Sequence, residues 1–289
     1  MKSSIARQKG FSRSLVPLLK RSRIKRLGEL LFIGRTHFSA RDLVRLNYAA
    51  PFAALELLFD GKPLALSDSA AFIDGYREIF RRRIYDFRAE TSQPYIIDGG
   101  ANIGLATVYF KQLYPESRIT AFEPDGAILE LLRRNVAARR LENVEAVQAA
   151  VWTSDGELSF VSEGGLSGHI ADGAEYSQSS TRVPSVRLKP FLARRVDFLK
   201  LDIEGAEYEV IEDCRDELAN VRNLFVEYHS PRDSEQKLAR ILQILTSAGF
   251  RYHIHEAFTS PRPFMERALL GAMDLQMNIF AYRPTRNHP

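Results

Sequence analysis

Five acids and one histidine at the ends of apolar runs are the side chains best placed to do chemistry: Asp98, Glu123, Asp202, Glu204 and Glu227, with His229 two positions after the last. A hydroxyl is a poor nucleophile until a general base engages it, and a neutral imidazole can share its proton near pH 7 without large pKa tuning. His229 is therefore expected to be the base, with Glu227 orienting it or binding substrate. Asp202 and Glu204 would face the electrophile and the substrate. Plainer readings stand beside these. His229 can be a polar residue entering the loop at Ser230-Pro231, and the acids of Asp202-Ile203-Glu204-Gly205-Ala206-Glu207 can simply favour the start of a helix. A third arrangement gathers Asp202, Glu204, Glu227 and His229 around a divalent cation that acidifies the hydroxyl, but the sequence does not favour it and assigns no metal ligands. His253 and His255 share one face of a late strand and read as structural or exposed, whereas His169, in a flexible loop, would touch substrate only on closure.

The partner of this chemistry is indicated by Ile96-Ile97-Asp98-Gly99-Gly100-Ala101-Asn102-Ile103-Gly104. An apolar strand delivers an acid, a glycine-rich turn follows, and a helix begins at once. Gly100 and Gly104 let the backbone turn sharply and let a ligand approach where a Cβ would obstruct it. A dinucleotide fingerprint would read G-x-G-x-x-G over a helix N-terminus that receives pyrophosphate; this loop reads Asp98-x-Gly100-x-Asn102-x-Gly104. A carboxylate there repels pyrophosphate and attracts a ligand carrying a sulfonium and an ammonium, as S-adenosylmethionine (SAM) does. The expected cofactor contacts are Asp98, Gly99, Gly100, Ala101, Asn102 and Gly104, the alternative being a tight turn with Asp98 as a local cap. Glu123, followed by Pro124, ends the next strand 25 positions after Asp98 and can accept both ribose hydroxyls, while Asp125 caps the following helix. Trp152, the sole tryptophan, offers an apolar wall to the adenine or is an ordinary core residue.

Four blocks together resemble the FkbM family of methyltransferases: Ile97-Asp98-Gly99-Gly100-Ala101-Asn102-Ile103-Gly104, Phe122-Glu123-Pro124, Leu199-Lys200-Leu201-Asp202-Ile203-Glu204-Gly205-Ala206-Glu207 and Phe225-Val226-Glu227-Tyr228-His229. The resemblance spans about residues 90–283. It implies SAM binding and O-methylation of a hydroxyl on a sugar, a polysaccharide precursor or a polyketide-type metabolite, without fixing the acceptor. It also supports Asp202 and Glu204 as residues facing the sulfonium and the substrate. Gly99 departs from the apolar residue of many relatives, a change the turn should tolerate.

The elements that must position these residues alternate regularly from Pro94 onward, as a sheet of parallel strands with crossover helices requires. Strands are expected at 95–98, 118–123, 144–151, 157–161, 183–188, 196–202, 223–228, 251–255 and 278–282, and helices at 102–113, 125–139, from about 206, and at 234–248. The fold class is α/β: a Rossmann-like, seven-stranded class I methyltransferase sheet with helices on both faces and an antiparallel last strand. Residues 162–182, nine of them Gly or Ser, form a polar loop expected to cover the acceptor. Three segments follow: a basic arm (1–28), a mainly helical cap (29–90) and the methyltransferase domain (91–289).

Bulk composition narrows the function. Of 40 Lys and Arg, nine fall in residues 1–28, which hold no acid; the other 31 face 36 acids, so the body carries about −5 and is not a nucleic-acid binder by charge. The leader has no unbroken apolar stretch for export, leaving a solvated arm or a basic helix giving weak peripheral membrane contact through residues 1–33. A single cysteine, Cys214, permits no intramolecular disulfide and suits a cytoplasmic setting. The acceptor would be a small molecule or a glycan hydroxyl. Two other functions remain open on sequence: an NAD-type oxidoreductase, and an inactive methyltransferase-like binding module.

Overall fold

Ser39 opens the first helix of the computed structural model, which describes residues 37–50, 53–162, 168–170 and 181–284. The basic leader, residues 29–36 and most of the Gly/Ser-rich loop lie outside these. The Ser39 hydroxyl accepts from the Asp42 N–H and caps α1 (Ala40–Tyr48). A hairpin follows, β1 (Leu55–Phe59) and β2 (Lys62–Leu66), turned by Asp60 and Gly61, both at positive φ (53° and 71°). Asp-Gly is the pair that a two-residue hairpin turn favours. The segment expected to be mainly helical therefore contains a hairpin. Next, Asp68 caps α2 (Ser69–Tyr76), which continues through a π turn, Arg77–Arg81.

From Tyr95 the chain alternates. The order is β3 (Tyr95–Gly99), α3 (Leu105–Leu113), β4 (Arg118–Phe122), α4 (Gly126–Ala138), β5 (Val144–Val147), then β6 (Ala150–Trp152), β7 (Gly156–Ser162), β8 (Gly168–Ile170) and β9 (Thr181–Arg187). After these come β10 (Val196–Leu201), α5 (Glu207–Asp213), β11 (Val221–Pro231), α6 (Leu238–Ser247), β12 (Arg251–Phe258) and β13 (Met273–Tyr282). The main sheet has seven strands in the order β12-β13-β11-β10-β3-β4-β5, and β13 runs antiparallel to both its neighbours while β10, β3, β4, β5 and β11 are parallel. The α/β class and the antiparallel last strand are as expected. Strand order reverses between β3 and β10, and in open α/β sheets ligands bind outside the carboxyl ends of the strands at such a switch point.

Among the boundaries that differ from expectation, four have a local reason. The strand foreseen at 144–151 is two: the Ala149 N–H turns back to the Val147 carbonyl, and β6 joins a second sheet, β6-β9-β7-β8. The loop foreseen at 162–182 contributes β8, in which His169 pairs with Val161 of β7. The helix foreseen from Asn102 starts at Leu105 because Asn102 (φ 49°) and Gly104 (φ 83°) are both left-handed and interrupt it. Finally, β11 runs on to Pro231, so His229 lies in a strand paired with Gln276 rather than in a loop.

The cap is welded to the domain by aromatic packing and by Asn135 of α4. Tyr85 meets Phe225 of β11 edge to face at 4.9 Å, and Phe87 meets Phe198 of β10 at 4.9 Å. Asn135, 1% exposed, accepts from the Ala65 N–H at 2.7 Å and donates to the carbonyls of Ala65 and Ile103, both at 2.9 Å. One amide thus ties the hairpin, α4 and the glycine-rich turn together. No helix among the described residues is long and apolar enough to cross a membrane. Asn135→Leu is expected to lower unfolding free energy by about 3 kcal/mol, because it strands a buried N–H and two carbonyls. Urea denaturation measures this, and a loss under about 1 kcal/mol would remove Asn135 as the tie.

Candidate active site

Apolar side chains fix which face of the strands each polar tip occupies. Ile96, Phe198 and Phe225 belong to the core shared with the cap, whereas Ile97, Leu199 and Val226 pack into the second core beneath the sheet. Since side chains alternate, Asp98, Lys200, Glu227 and His229 continue the cap-side face at the carboxyl end of the sheet. Lys200 pairs in register with Asp98 across the switch point.

Asp98 lies inside the protein. It is 0% exposed; its Oδ2 accepts from the Thr107 hydroxyl at 2.9 Å, and its Oδ1 lies 3.4 Å from the Lys200 Nζ, too poorly aligned to count as a hydrogen bond. Lys200 also lies 3.2 Å from Asp202 Oδ2 and donates to the Gly100 carbonyl at 2.8 Å. Burial opposes the charge on Lys200, but Asp202 and Asp98 outweigh it and hold the ammonium above its usual range. The attraction expected of a bare Asp98 is thereby offset, because its counter-charge is built in.

The glycine-rich turn also differs in what its glycines are for. A Cβ on Gly100 would lie 1.8 Å from the Asp202 carbonyl, and one on Gly99 2.9 Å from the Lys200 carbonyl, so these glycines admit β10 rather than a ligand. A Cβ on Gly104 would meet Leu132 at 3.1 Å. Ala101 is 3% exposed and its N–H donates to the Phe122 carbonyl. The N–H groups of Asn102, Ile103 and Gly104 are likewise taken, by Glu123, the Asn102 side chain and the Ala101 carbonyl. What the turn leaves partly open is Gly100 and Asn102, with Pro124 and Asp125 across from them.

Glu123 stands at the tip of β4, 7% exposed, with Oε2 accepting from the Asn102 N–H at 2.9 Å and Oε1 from the Asp125 N–H at 3.0 Å. Burial pushes its pKa up to about 7 against those two donors. Trp152 is not at the tip of the third main strand: it sits partly exposed on β6 opposite Arg187. The His169 side chain lies outside the described part of the structure.

The acids and the histidine at the tips of β10 and β11 do converge. Asp202, Glu227 and His229 each offer a ligand-type atom, all within 4.8 Å of one another. His229 is 4% exposed, with Nδ1 3.1 Å from Glu207 Oε1 and Nε2 facing Glu204 Oε2 at 3.5 Å and Glu227 Oε1 at 4.0 Å. Glu207, not Glu227, orients the ring. Glu207 was not singled out from sequence, where it reads as a helix-start acid; it is 1% exposed and accepts the Ile203 and Gly205 N–H groups at 3.1 Å each. Glu204 holds a left-handed backbone (φ 55°), and its Oε2 lies 3.5 Å from the ring.

These neighbours overturn the expectation of an untuned imidazole. Burial works against charge on His229, but Glu207, Glu204 and Asp202 outweigh it and hold the pKa well above 6.5. Conversely, burial raises Glu204 to about 8 and Glu227 to about 7, with the charge of His229 opposing. The two acids keep a quarter of their side-chain surface open, 25% each, and Asp202 keeps 27%, so this carboxyl-lined floor faces the cleft. A buried carboxylate fixes one imidazole nitrogen while the other points at the partly open carboxyls of Glu204 and Glu227, the arrangement of an oriented general base.

A Rossmann-like sheet with this switch-point crevice and an antiparallel strand between β11 and β12 is that of the class I methyltransferases. The chain belongs to the FkbM methyltransferase family: residues 98–252 match the methyltransferase FkbM domain. It is 31% identical over 204 residues to methyltransferase sdnD of Sordaria araneosa, covering 58% of this chain and 79% of that one. To 2-O-methyltransferase NoeI of Sinorhizobium fredii it is 26% identical over 180 residues, 55% of this chain and 73% of the relative. The crystal structure of methyltransferase FkbM from Methylobacillus flagellatus KT aligns with a TM-score of 0.45 at 13% identity, over 68% of this chain and 45% of that one.

Glu207→Gln keeps an oxygen for the Ile203 and Gly205 N–H groups but removes the charge. The protonation midpoint of His229, followed by NMR of the labelled imidazole, is expected to fall. A midpoint that stays in place would show that Glu207 does not set it.

Proposed function

We propose that this chain is a SAM-dependent O-methyltransferase acting on a hydroxyl of a sugar, a polysaccharide precursor or a polyketide-type metabolite. The observation that carries this reading is the Glu207–His229 pair, buried at the tip of β11 with Nε2 turned toward a carboxyl-lined cleft. The likeness to NoeI, a 2-O-methyltransferase, favours oxygen as the accepting atom.

The residues present suit SAM better than a dinucleotide. The N–H groups of residues 101–104 are all engaged within the protein, leaving the turn no set of donors for a pyrophosphate. Gly100, Asn102, Pro124 and Asp125 would line the nucleoside, Glu123 would accept the ribose hydroxyls, and the open carboxyls of Asp202 and Glu227 would face the cationic end. SAM, when bound, supplies an activated methyl group. The protein must hold the acceptor oxygen in line and take its proton. Neutral His229 would receive that proton at Nε2, and Glu207 would stabilise the imidazolium that results. The cap closes this face of the sheet and helps exclude water.

The clustering of Asp202, Glu227 and His229 within 4.8 Å favours a second reading, in which they hold a divalent cation that acidifies the hydroxyl. Turnover lost on chelation and restored by Mg²⁺ or Mn²⁺ would establish it. Lys200 already supplies positive charge beside Asp202, so the metal-free reading is preferred.

Incubation with methyl-labelled SAM and a panel of glycosides and polyketide alcohols, read by mass spectrometry, is expected to yield a methyl ether. Nicotinamide nucleotide bound in place of SAM would reverse the assignment, and SAM binding without transfer to any acceptor would mark an inactive module. Glu123→Ala is expected to weaken SAM binding roughly a hundred-fold by calorimetry, the loss of two charge-assisted hydrogen bonds. For the intact protein, affinity should fall as pH drops below about 7, where Glu123 takes up a proton. His229→Ala should keep SAM binding and lose roughly 10²–10⁴-fold in kcat. Because the His229 pKa is raised, the base is neutral only at higher pH, so kcat/KM should climb along a limb above the usual imidazole range. In Glu207→Gln this limb should move to lower pH, and a pH-independent rate would remove His229 as the base.

A further inference from the structure

Directly opposed residues on neighbouring strands present their side chains to the same face. On β11, β13 and β12 this places Glu227, Asn278 and His255 in one row, with Phe225, Phe280 and His253 one row behind. The rings agree: Phe225 and Phe280 meet at 5.3 Å, and His255 and Phe280 at 4.7 Å. One row ahead, Gln276 lies opposite His229. The proposed catalytic tip of β11 therefore continues sideways into a row of amide side chains on the antiparallel strand.

Asn278 is the residue that needs explaining. It is 7% exposed, and among the described residues its Oδ1 is buried without a hydrogen-bond partner. A buried amide left unpaired is costly, and such groups in native proteins call for a ligand, a water or a strained function. A primary amide carries both donors and an acceptor, as a hydroxyl does, so one amide can serve two adjacent hydroxyls. A lone alcohol bound at His229 would not use it. An acceptor ring with hydroxyls beside the reacting one would.

We propose that Asn278, with Gln276 next to it, forms a subsite that reads the hydroxyls flanking the methylated position of a sugar-ring acceptor. This rests on the sugar reading given above and adds strand β13, which lies outside the family-matched residues 98–252. It assigns selection of the acceptor to the last strand while leaving cofactor binding to β3 and β4.

The test loads the protein with S-adenosylhomocysteine and titrates methyl glycosides of glucose, fucose and rhamnose by saturation-transfer NMR. At least one is expected to bind, and Asn278→Leu should weaken it ten-fold or more with the affinity for S-adenosylhomocysteine and Tm preserved. Tm should not fall, because the substitution removes an unsatisfied buried group. Gln276→Ala, at a partly exposed position, should weaken glycoside binding several-fold. Glycoside binding within two-fold of wild type in both variants would overturn this subsite alone, as would a large fall in Tm for Asn278→Leu with Gln276→Ala unaffected in binding. Binding of S-adenosylhomocysteine with no glycoside bound would overturn the sugar reading and the subsite together, and failure to bind S-adenosylhomocysteine would overturn the cofactor reading beneath both.

Discussion

One ammonium holds the switch point together. Lys200 Nζ, itself 3% exposed by residue, sits between the carboxylates of Asp98 and Asp202 and donates to the carbonyls of Gly99 and Gly100. Removing either charge from such a buried set would leave the other uncompensated, which costs far more than the pair contributes. The glycine-rich turn is consequently clamped to β10 at close range, and only glycine can stand where the Asp202 carbonyl presses against position 100. Everything that the crevice offers a ligand is measured from this fixed edge.

The electrostatics beyond that edge show a different balance. Asp202, Glu204, Glu207 and Glu227 crowd around His229; burial raises Glu204 and Glu227 toward neutrality, while Glu207, Glu204 and Asp202 hold the imidazole pKa up. Like charges kept at close quarters destabilise a fold, and proteins retain them where they tune proton affinity. The only fully buried member, Glu207, is also the one with the most backbone donors, so the least solvated charge is the best compensated. The more open acids face the cleft, where a cationic ligand would relieve their mutual repulsion.

The cap closes the same face from above. Tyr85 and Phe87 seat it on Phe198 and Phe225, directly behind Lys200 and Glu227 along their strands, and Asn135 carries the link from the hairpin to the turn at Ile103. Packing and site are therefore one structure: the residues that exclude water from the polar tips are the core of the domain.

The sequence by itself determined the alternation of elements, the acid-glycine turn and the acids at strand ends, because strand period, turn residues and helix caps are local properties. The Asp60-Gly61 hairpin was equally legible, though the surrounding helical spacing hid it. Only the tertiary structure decided what each acid does. Asp98 and Glu207 look alike in sequence to Asp202 and Glu227, yet the first two are enclosed and the others face the cleft. Which of these holds depends on register between strands far apart in the chain, as does the meeting of Asn278 with Glu227, 51 positions away. Counter-charge, burial and the resulting proton affinities are sums over non-local neighbours, and no window of sequence contains them.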